Sequence, residues 1–154
     1  MTSRPTWTIG AAIAALFVLL ASAQTGGGGP QHKPVMMTHL YTGPDRQTHA
    51  EEIEAKFNVG ETNEVYKMMA TAGAELHRAA LGTVIDWHTA PRRQYVITLS
   101  GQAEIEVAGG KKFHVGPCHI DLVEDTTGEG HITRVIGTEE RVTLQLPLTD
   151  QTDR

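Results

Sequence analysis

Cysteine is almost absent from this sequence of 154 residues, and basic residues are too few to form a cluster. Cys118 is the single cysteine, so the chain cannot close an internal disulfide. Lysine and arginine total 13 against 18 acidic residues. Binding to nucleic acid is driven largely by basic side chains that displace the counterions of the phosphates, and an acidic chain without a basic cluster lacks this contribution. Nucleic acid is therefore excluded as an expected partner.

A hydrophobic run long enough to span a bilayer is also missing. The apolar segment from Ile9 to Leu20 is shorter than the roughly 20 residues that a spanning helix needs. Arg4 precedes it and Ala21-Ser22-Ala23 follows it, which is the pattern of a secretory signal peptide. We expect residues 1–23 to be cleaved after Ala23 and the protein to be exported, periplasmic or secreted, with no membrane contact afterwards. An uncleaved anchor and a buried helix are the alternatives.

Residues 24–34 lack the apolar content to pack. Four consecutive glycines and two prolines make this segment a predicted flexible linker. Residues 35–148 have the length and composition of one globular domain, and residues 149–154 form a polar tail.

The predicted domain contains no convincing long helix but many short strand patterns. Ala103, Ile105 and Val107 alternate with polar residues, and Gly109-Gly110 then predicts a hairpin turn. Strands are also expected around Met37–Tyr41 and, as an edge or covering strand, around Tyr66–Ala70. Residues 47–55 stay undecided, because Thr48 and Glu51 resemble a helix capping box. Four further strands fall near residues 113–115, 120–123, 132–136 and 142–148. This pattern indicates an all-β sandwich or jelly-roll barrel.

The stretch Gly82–Gly101 carries the most information. It contains two strand patterns joined by Pro91-Arg92-Arg93. Its spacing resembles the first motif of the cupin family, with Gly82, His88 and Gly101 in place. Ala90 stands where that motif has its second histidine, and Gln94 stands where it has glutamate.

The segment from Gly116 to His131 resembles the second cupin motif. Pro117-Cys118-His119 stands where the family usually has Pro-Gly-Asp, and His131 supplies the distal histidine. The resemblance is to small single-domain bacterial cupins of unassigned activity, and it implies a cupin-type jelly-roll β-barrel. If the barrel closes as cupins do, His88, Gln94 and His131 converge inside it.

Two imidazoles and an amide oxygen suit a divalent metal such as Fe, Zn, Mn, Ni or Cu. The set is weakened because Gln94 is neutral and Ala90 offers no donor. A metal-free site is compatible with the same residues, since His88 and His131 titrate near neutral pH and can act as general acid and base. Histidines buried in the core for structural reasons are the third interpretation.

Residues beside these histidines on the same strand faces are candidate ligand contacts. Side chains two apart share a face of a strand, which pairs Asp86 with His88, Arg92 with Gln94, and Thr133 with His131. Asp86 either orients His88 or faces solvent. Arg92 either presents its guanidinium to an anionic ligand or lies at a solvated corner.

Three functional hypotheses follow. The first is an exported cupin-type oxygenase, isomerase or lyase acting on a small anionic or phenolic molecule, with His88 and His131 as its catalytic residues. The second is a metal-free cupin that binds or senses such a molecule. The third is a structural cupin with a vestigial site. The resemblance also makes a homodimer plausible.

Overall fold

The structure is a computed structural model of the chain, and it describes residues 32–60 and 62–152. The predicted signal peptide at 1–23 and most of the predicted linker at 24–34 lie outside the described residues. Within the part of the chain that is described, no helix has the length and hydrophobicity to cross a bilayer.

The described residues contain twelve β-strands and one short 3₁₀ turn at Ala108–Gly110. The strands are β1 (Met36–Thr42), β2 (Thr48–Glu54), β3 (Asn58–Val59), β4 (Glu64–Val65), β5 (Glu75–Ala79), β6 (Val84–His88), β7 (Gln94–Ser100), β8 (Gln102–Val107), β9 (Lys111–Val115), β10 (Ile120–Glu124), β11 (His131–Ile136) and β12 (Arg141–Pro147).

Two large sheets form the barrel. The six-stranded sheet has the order β2-β1-β10-β7-β12-β5, and the four-stranded sheet has the order β6-β11-β8-β9. All neighbours in these two sheets are antiparallel except β1 and β10, which are parallel. Strands far apart in sequence are thus neighbours, as in a double-sheet jelly roll. The prediction of an all-β jelly-roll barrel is confirmed.

The apolar core lies between the two sheets. On β8, Ala103, Ile105 and Val107 are buried and point toward the six-stranded sheet, as their alternation predicted. They belong to one cluster, which we call the inter-sheet cluster: Leu40, Ala90, Val96, Ala103, Ile105, Val107, Val115 and Val123. Burying each large aliphatic side chain stabilises the fold by about 1.5–3 kcal/mol.

A second cluster covers the outer face of the six-stranded sheet. Met37, Tyr95 and Leu122 are buried there, and Tyr66, Met68 and Met69 pack over them. The prediction that residues 66–70 cover the sheet is therefore confirmed, but the prediction that they form a strand is wrong. Their backbone is bonded to side chains and loops instead of a sheet ladder: the amide of Met69 donates to the hydroxyl of Tyr95 at 3.3 Å.

The undecided segment at 47–55 is a strand. β2 pairs with β1 along its whole length, from Thr42 opposite Thr48 to Met36 opposite Glu54. Thr48 is not a helix cap, because its hydroxyl donates to Asp125 on another part of the barrel. β5 was not predicted, because its exposed position at the edge of the sheet leaves little hydrophobic pattern in the sequence.

Candidate functional site

The two motif histidines lie side by side on neighbouring strands. β6 and β11 pair with His88 opposite His131, and the centroids of the two rings are 4.4 Å apart at an interplanar angle of 56°. The proximity inferred from the motif spacing is therefore observed. The catalytic and metal-binding roles predicted for these histidines stay predictions.

A glycine allows the two strands to approach this closely. Gly130, directly before His131, has φ +80°, and a Cβ added there would lie 2.0 Å from the carbonyl oxygen of His88. Gly109, in the hairpin between β8 and β9, has a similar φ of +74° but nothing within 4 Å of an added Cβ. Both glycines therefore adopt a positive φ, but only Gly130 has another backbone atom where a side chain would lie.

We expect Gly130→Ala to lower the free energy of unfolding by about 3 kcal/mol, because the left-handed backbone and the overlap with His88 both oppose a side chain. Gly109→Ala is the matched control and should cost about 1 kcal/mol, from the backbone alone. Urea unfolding of the two variants measures the difference. Equal costs would show that Gly130 does not set the distance between the strands.

The ring of His88 has a defined hydrogen position. Its Nδ1 lies 2.8 Å from the backbone carbonyl oxygen of Asp86. A carbonyl only accepts, so Nδ1 carries the hydrogen and Nε2 keeps a free lone pair when the ring is neutral. Burial lowers the pKa of His88 below its ordinary value, and the charge of His131 acts in the same direction, while the bond to Asp86 opposes it.

The side chain of Asp86 does not orient His88. Its carboxylate accepts a hydrogen bond from the backbone amide of Trp87 at 2.9 Å on an exposed part of β6. The interpretation of the Asp86 carboxylate as the group that holds His88 is therefore wrong, because the backbone carbonyl of the same residue does so. A contact between Asp86 and a ligand remains an untested prediction.

His131 is held by a buried carboxylate. Its Nδ1 lies 2.6 Å from Oδ2 of Asp125, and the hydroxyl of Thr48 donates to the same oxygen at 3.0 Å. Asp125 is fully buried, and its Oδ1 has no hydrogen-bond partner among the described residues. Such a carboxylate fixes the ring orientation and stabilises the imidazolium when it forms.

The bond between Asp125 and His131 was not predicted from the sequence. The two residues are six positions apart with a glycine-rich loop between them. The only hint in the sequence was a carboxylate a few residues before His131. Strand periodicity could not show that the two side chains meet, because a loop separates them.

Gln94 and Thr133 face the barrel interior, whereas Arg92 does not reach the cavity. Gln94 and Thr133 are buried and line the cavity described below. Arg92 donates through Nε to Oε1 of Gln94 at 3.1 Å and forms an ion pair with Glu75. Its guanidinium is thus engaged within the protein, and the predicted contact of Arg92 with a ligand stays a prediction.

The cavity between the sheets has a volume of about 270 Å³. Its size is close to the lower end of the range for small-molecule sites. Apolar walls alternate with a few polar groups, and the lining residues include Leu40, Ile85, His88, Gln94, Val96, Ile105, Asp121, Val123, His131, Thr133, Arg141 and Gln145. The cavity thus lies between the imidazole rings and residues of the opposite sheet.

The donor set beside the histidines does not fit a resident divalent metal. Among residues 32–60 and 62–152, no three or more His, Cys, Asp or Glu side chains are grouped to hold an ion. Gln94 is the third predicted ligand, but its Oε1 already accepts from the cationic Arg92. Asp125 is bonded to the Nδ1 of His131, so it supports that ring.

A second polar group in the cavity centres on Arg141, which opens β12 and is 8% exposed. Its Nη2 lies 3.9 Å from Oδ2 of Asp121, and the other oxygen of Asp121 lies 3.1 Å from Nε2 of His119. Sequence reasoning did not select Arg141 or Asp121 as site residues. Neither residue occupies a position that defines the two cupin motifs. In β12 the alternation of apolar and polar residues indicated only which apolar side chains are buried.

The two environments predict that His88 and His119 titrate on opposite sides of the ordinary histidine pKa of 6.5. The hydrogen bond and charge of Asp121 raise the pKa of His119, whereas burial lowers that of His88. At pH 6.5 we expect His119 to be mainly protonated and His88 mainly neutral. An NMR titration of the imidazole carbon-bound protons measures both values.

The stability linkage has a definite sign. Because the folded-state pKa of His119 is raised, its pairing with Asp121 stabilises the fold fully below pH 6.5, and this contribution is lost as pH rises through the folded-state value. Asp121→Asn should move the pKa of His119 downward and leave that of His88 in place. A His119 that titrates below His88 would contradict the assignment.

Comparisons with known proteins give likeness only among solved structures. No protein-family model matches the chain, and no curated protein sequence matches it significantly. The capsular polysaccharide assembling protein CapF from Staphylococcus aureus is 16% identical over 59% of this chain and 29% of its own, with a TM-score of 0.38. CapF with the inhibitor 3-isopropenyl-tropolone gives 15% identity over the same shares and a TM-score of 0.36.

The cupin domain of Cnp3 from Schizosaccharomyces pombe is 14% identical over 78% of this chain and 86% of that domain, with a TM-score of 0.43. This chain therefore matches under a third of the CapF chain but most of the Cnp3 domain. At these identities the likeness concerns the fold.

Proposed function

We propose that this chain, a protein of the cupin fold, binds a small organic molecule in its barrel and transfers a proton on it, as an isomerase or lyase does. The supporting observation is the pair of imidazole rings, 4.4 Å apart on the wall of a cavity of about 270 Å³, each with a different hydrogen-bond partner. Two titratable groups in contrasting environments are the usual arrangement for one acid and one base.

His88 is the base in this proposal. Its Nδ1 is committed to the carbonyl of Asp86, which leaves Nε2 as the atom that takes a proton. Burial lowers its pKa, so the ring is neutral at pH 7 and able to accept.

His131 is the acid. The carboxylate of Asp125 lies 2.6 Å from Nδ1 and orients the ring, and the hydroxyl of Thr48 donates to the same carboxylate oxygen. The Nε2–H of the imidazolium then donates to an oxygen of the ligand.

The reaction class that matches this pair is enolisation of a carbonyl compound. The C–H bond next to the carbonyl breaks, its proton moves to Nε2 of His88, and the electron pair forms the enol double bond. The carbonyl oxygen receives the proton from Nε2 of His131. One proton leaves the ligand and one is gained, so no oxidant or reductant takes part.

Deuterium exchange tests the proposal. The chelator-treated full chain is incubated in D₂O with a panel of enolisable ketones that includes 4-acetylbenzoate and 4-acetylbenzamide, and proton NMR follows the loss of the hydrogens next to the carbonyl. Exchange faster than in buffer that persists with chelator supports the proposal. If no ketone exchanges faster than in buffer, the proposal fails.

Two other outcomes select the alternative functions. Binding of a ketone without exchange would favour a ligand-binding or sensing protein. Stoichiometric Fe, Zn, Mn, Ni or Cu in protein purified without chelator, with exchange lost on its removal, would favour the metal-dependent oxygenase, isomerase or lyase. Export and a homodimeric state also remain proposals, and a mature N-terminus at Gln24 would support export.

A further inference from the structure

The polar group around Arg141 lies in the same cavity as the imidazole pair but is not used by the proposed proton transfer. We propose that Arg141 anchors a carboxylate of the ligand, so that the protein selects small organic acids whose carboxylate is remote from the atom that exchanges its proton. This assignment rests on the proposed function only for the reacting end of the ligand.

The guanidinium of Arg141 has more donors than the protein uses. Nε and Nη2 both donate to the hydroxyl of Thr98, at 3.3 Å and 2.8 Å. These bonds to Thr98 use two of the three guanidinium nitrogens, and the side chain borders the cavity. A buried cation that is bonded to a single neutral hydroxyl is costly unless a charged acceptor completes it. A carboxylate matches the fork of the guanidinium and supplies that acceptor.

Asp121 does not neutralise Arg141 by itself. Its Oδ2 is 3.9 Å from Nη2, beyond hydrogen-bond distance, and its Oδ1 is 3.1 Å from Nε2 of His119. The carboxylate thus lies between two basic side chains. The pKa of His119 is raised by this contact, so its positive charge persists to higher pH. The charge of a protonated His119 is balanced by Asp121 and by Glu52, which also acts on this ring, so Asp121 is shared and not available to Arg141 alone.

The positions of the two groups on their strands determine the shape of the ligand. His131 is the first residue of β11, whereas Arg141 follows the turn after the last residue of β11 and starts β12. β11 is about 17 Å long at the usual rise per residue, so the length of this strand separates the backbone positions of two residues that both line the cavity. Val96 and Ile105 lie in the lining between them. An apolar body with a carboxylate at one end and a carbonyl at the other fits this arrangement.

Binding of 4-acetylbenzoate and its neutral counterpart 4-acetylbenzamide tests the anchor. Calorimetry on the full chain should show the carboxylate binding about tenfold more tightly than the amide, or better. Arg141→Gln combined with Asp121→Asn removes both charges without leaving either buried alone, and it should abolish the preference. Arg134→Gln is the matched control, because Arg134 pairs with Glu104 and Glu106 and does not line the cavity.

Equal binding of the two probes, binding of neither, or a preference that survives in the double variant would each overturn the anchor. The test is independent of turnover. Tight carboxylate binding without deuterium exchange would retain Arg141 as the anchor and reject the proposed proton transfer. Exchange without a carboxylate preference would do the reverse.

Discussion

Replacing His88 with glutamine is expected to slow the deuterium exchange of a bound ketone by about 10²–10⁴-fold, the usual contribution of a positioned general base. Glutamine retains hydrogen-bonding ability but cannot take a proton at neutral pH. The loss should appear in the rate at saturating ketone, because the ring acts on the reacting atoms. Exchange rates measured by NMR for the native chain and the variant give the ratio directly.

His131→Gln should reduce exchange within the same range, because it removes the proposed acid. The control is His49→Gln: His49 is 42% exposed and pairs with Asp45 on the surface. Its removal should leave exchange unchanged. If both imidazole variants kept the native rate, the pair would not be the reacting centre, even though the rings lie close together.

Replacing Arg93 with methionine should lower the free energy of unfolding by about 4 kcal/mol, because it breaks a buried charge pair by removing one partner. The side chain of Arg93 is 1% exposed, and its Nε donates to Glu124 at 2.8 Å. Nη1 donates to the backbone carbonyl of Asp150 at 2.8 Å, and this bond holds the segment after β12 against the barrel. Without Arg93, Glu124 keeps its contact with Nε2 of His39, 2.7 Å away.

The neighbouring arginine is the matched control. Arg92 is 32% exposed and pairs with Glu75 at the surface, so Arg92→Met should cost less than about 1 kcal/mol. Urea unfolding of both variants measures the contrast. Combining Arg93→Met with Glu124→Gln should cost less than the two single changes added together, since no buried charge is then left alone. Similar small costs for both arginines would contradict the description of Arg93 as a buried structural cation.

Most of the barrel was predictable from local patterns. The alternation on β8, the glycines of the following hairpin and the β-rich runs of β7, β10, β11 and β12 all correspond to observed strands. These elements have strong patterns because one or both of their faces are buried. The strand β5 and the covering segment 66–70 were misjudged, because an exposed edge and an irregular cover carry no periodic signal.

The candidate site was only partly predictable. The resemblance to the cupin motifs selected His88, Gln94 and His131, and the last two are buried. The sequence could not show which of Arg92 and Arg93 is buried. Adjacent residues of an extended segment face opposite sides of it, but this alternation does not show which side faces the protein interior. The sequence left Arg92 open between a contact for an anionic ligand and a solvated corner. In the structure Arg92 is engaged by Glu75 and Gln94, and Arg141 borders the cavity.

The sequence by itself determined where most of the buried strands lie and which of their residues share a face, because both depend on the period-two geometry of a single strand. The tertiary structure decided which faces meet. The pairing of Asp125 with His131, of Arg93 with Glu124 and of Arg141 with Thr98 joins separate strands and loops. Such contacts depend on the order and register of the strands in the sheets. Order and register arise from the packing of the whole barrel, so they cannot be read from the spacing of residues that are neighbours in the sequence.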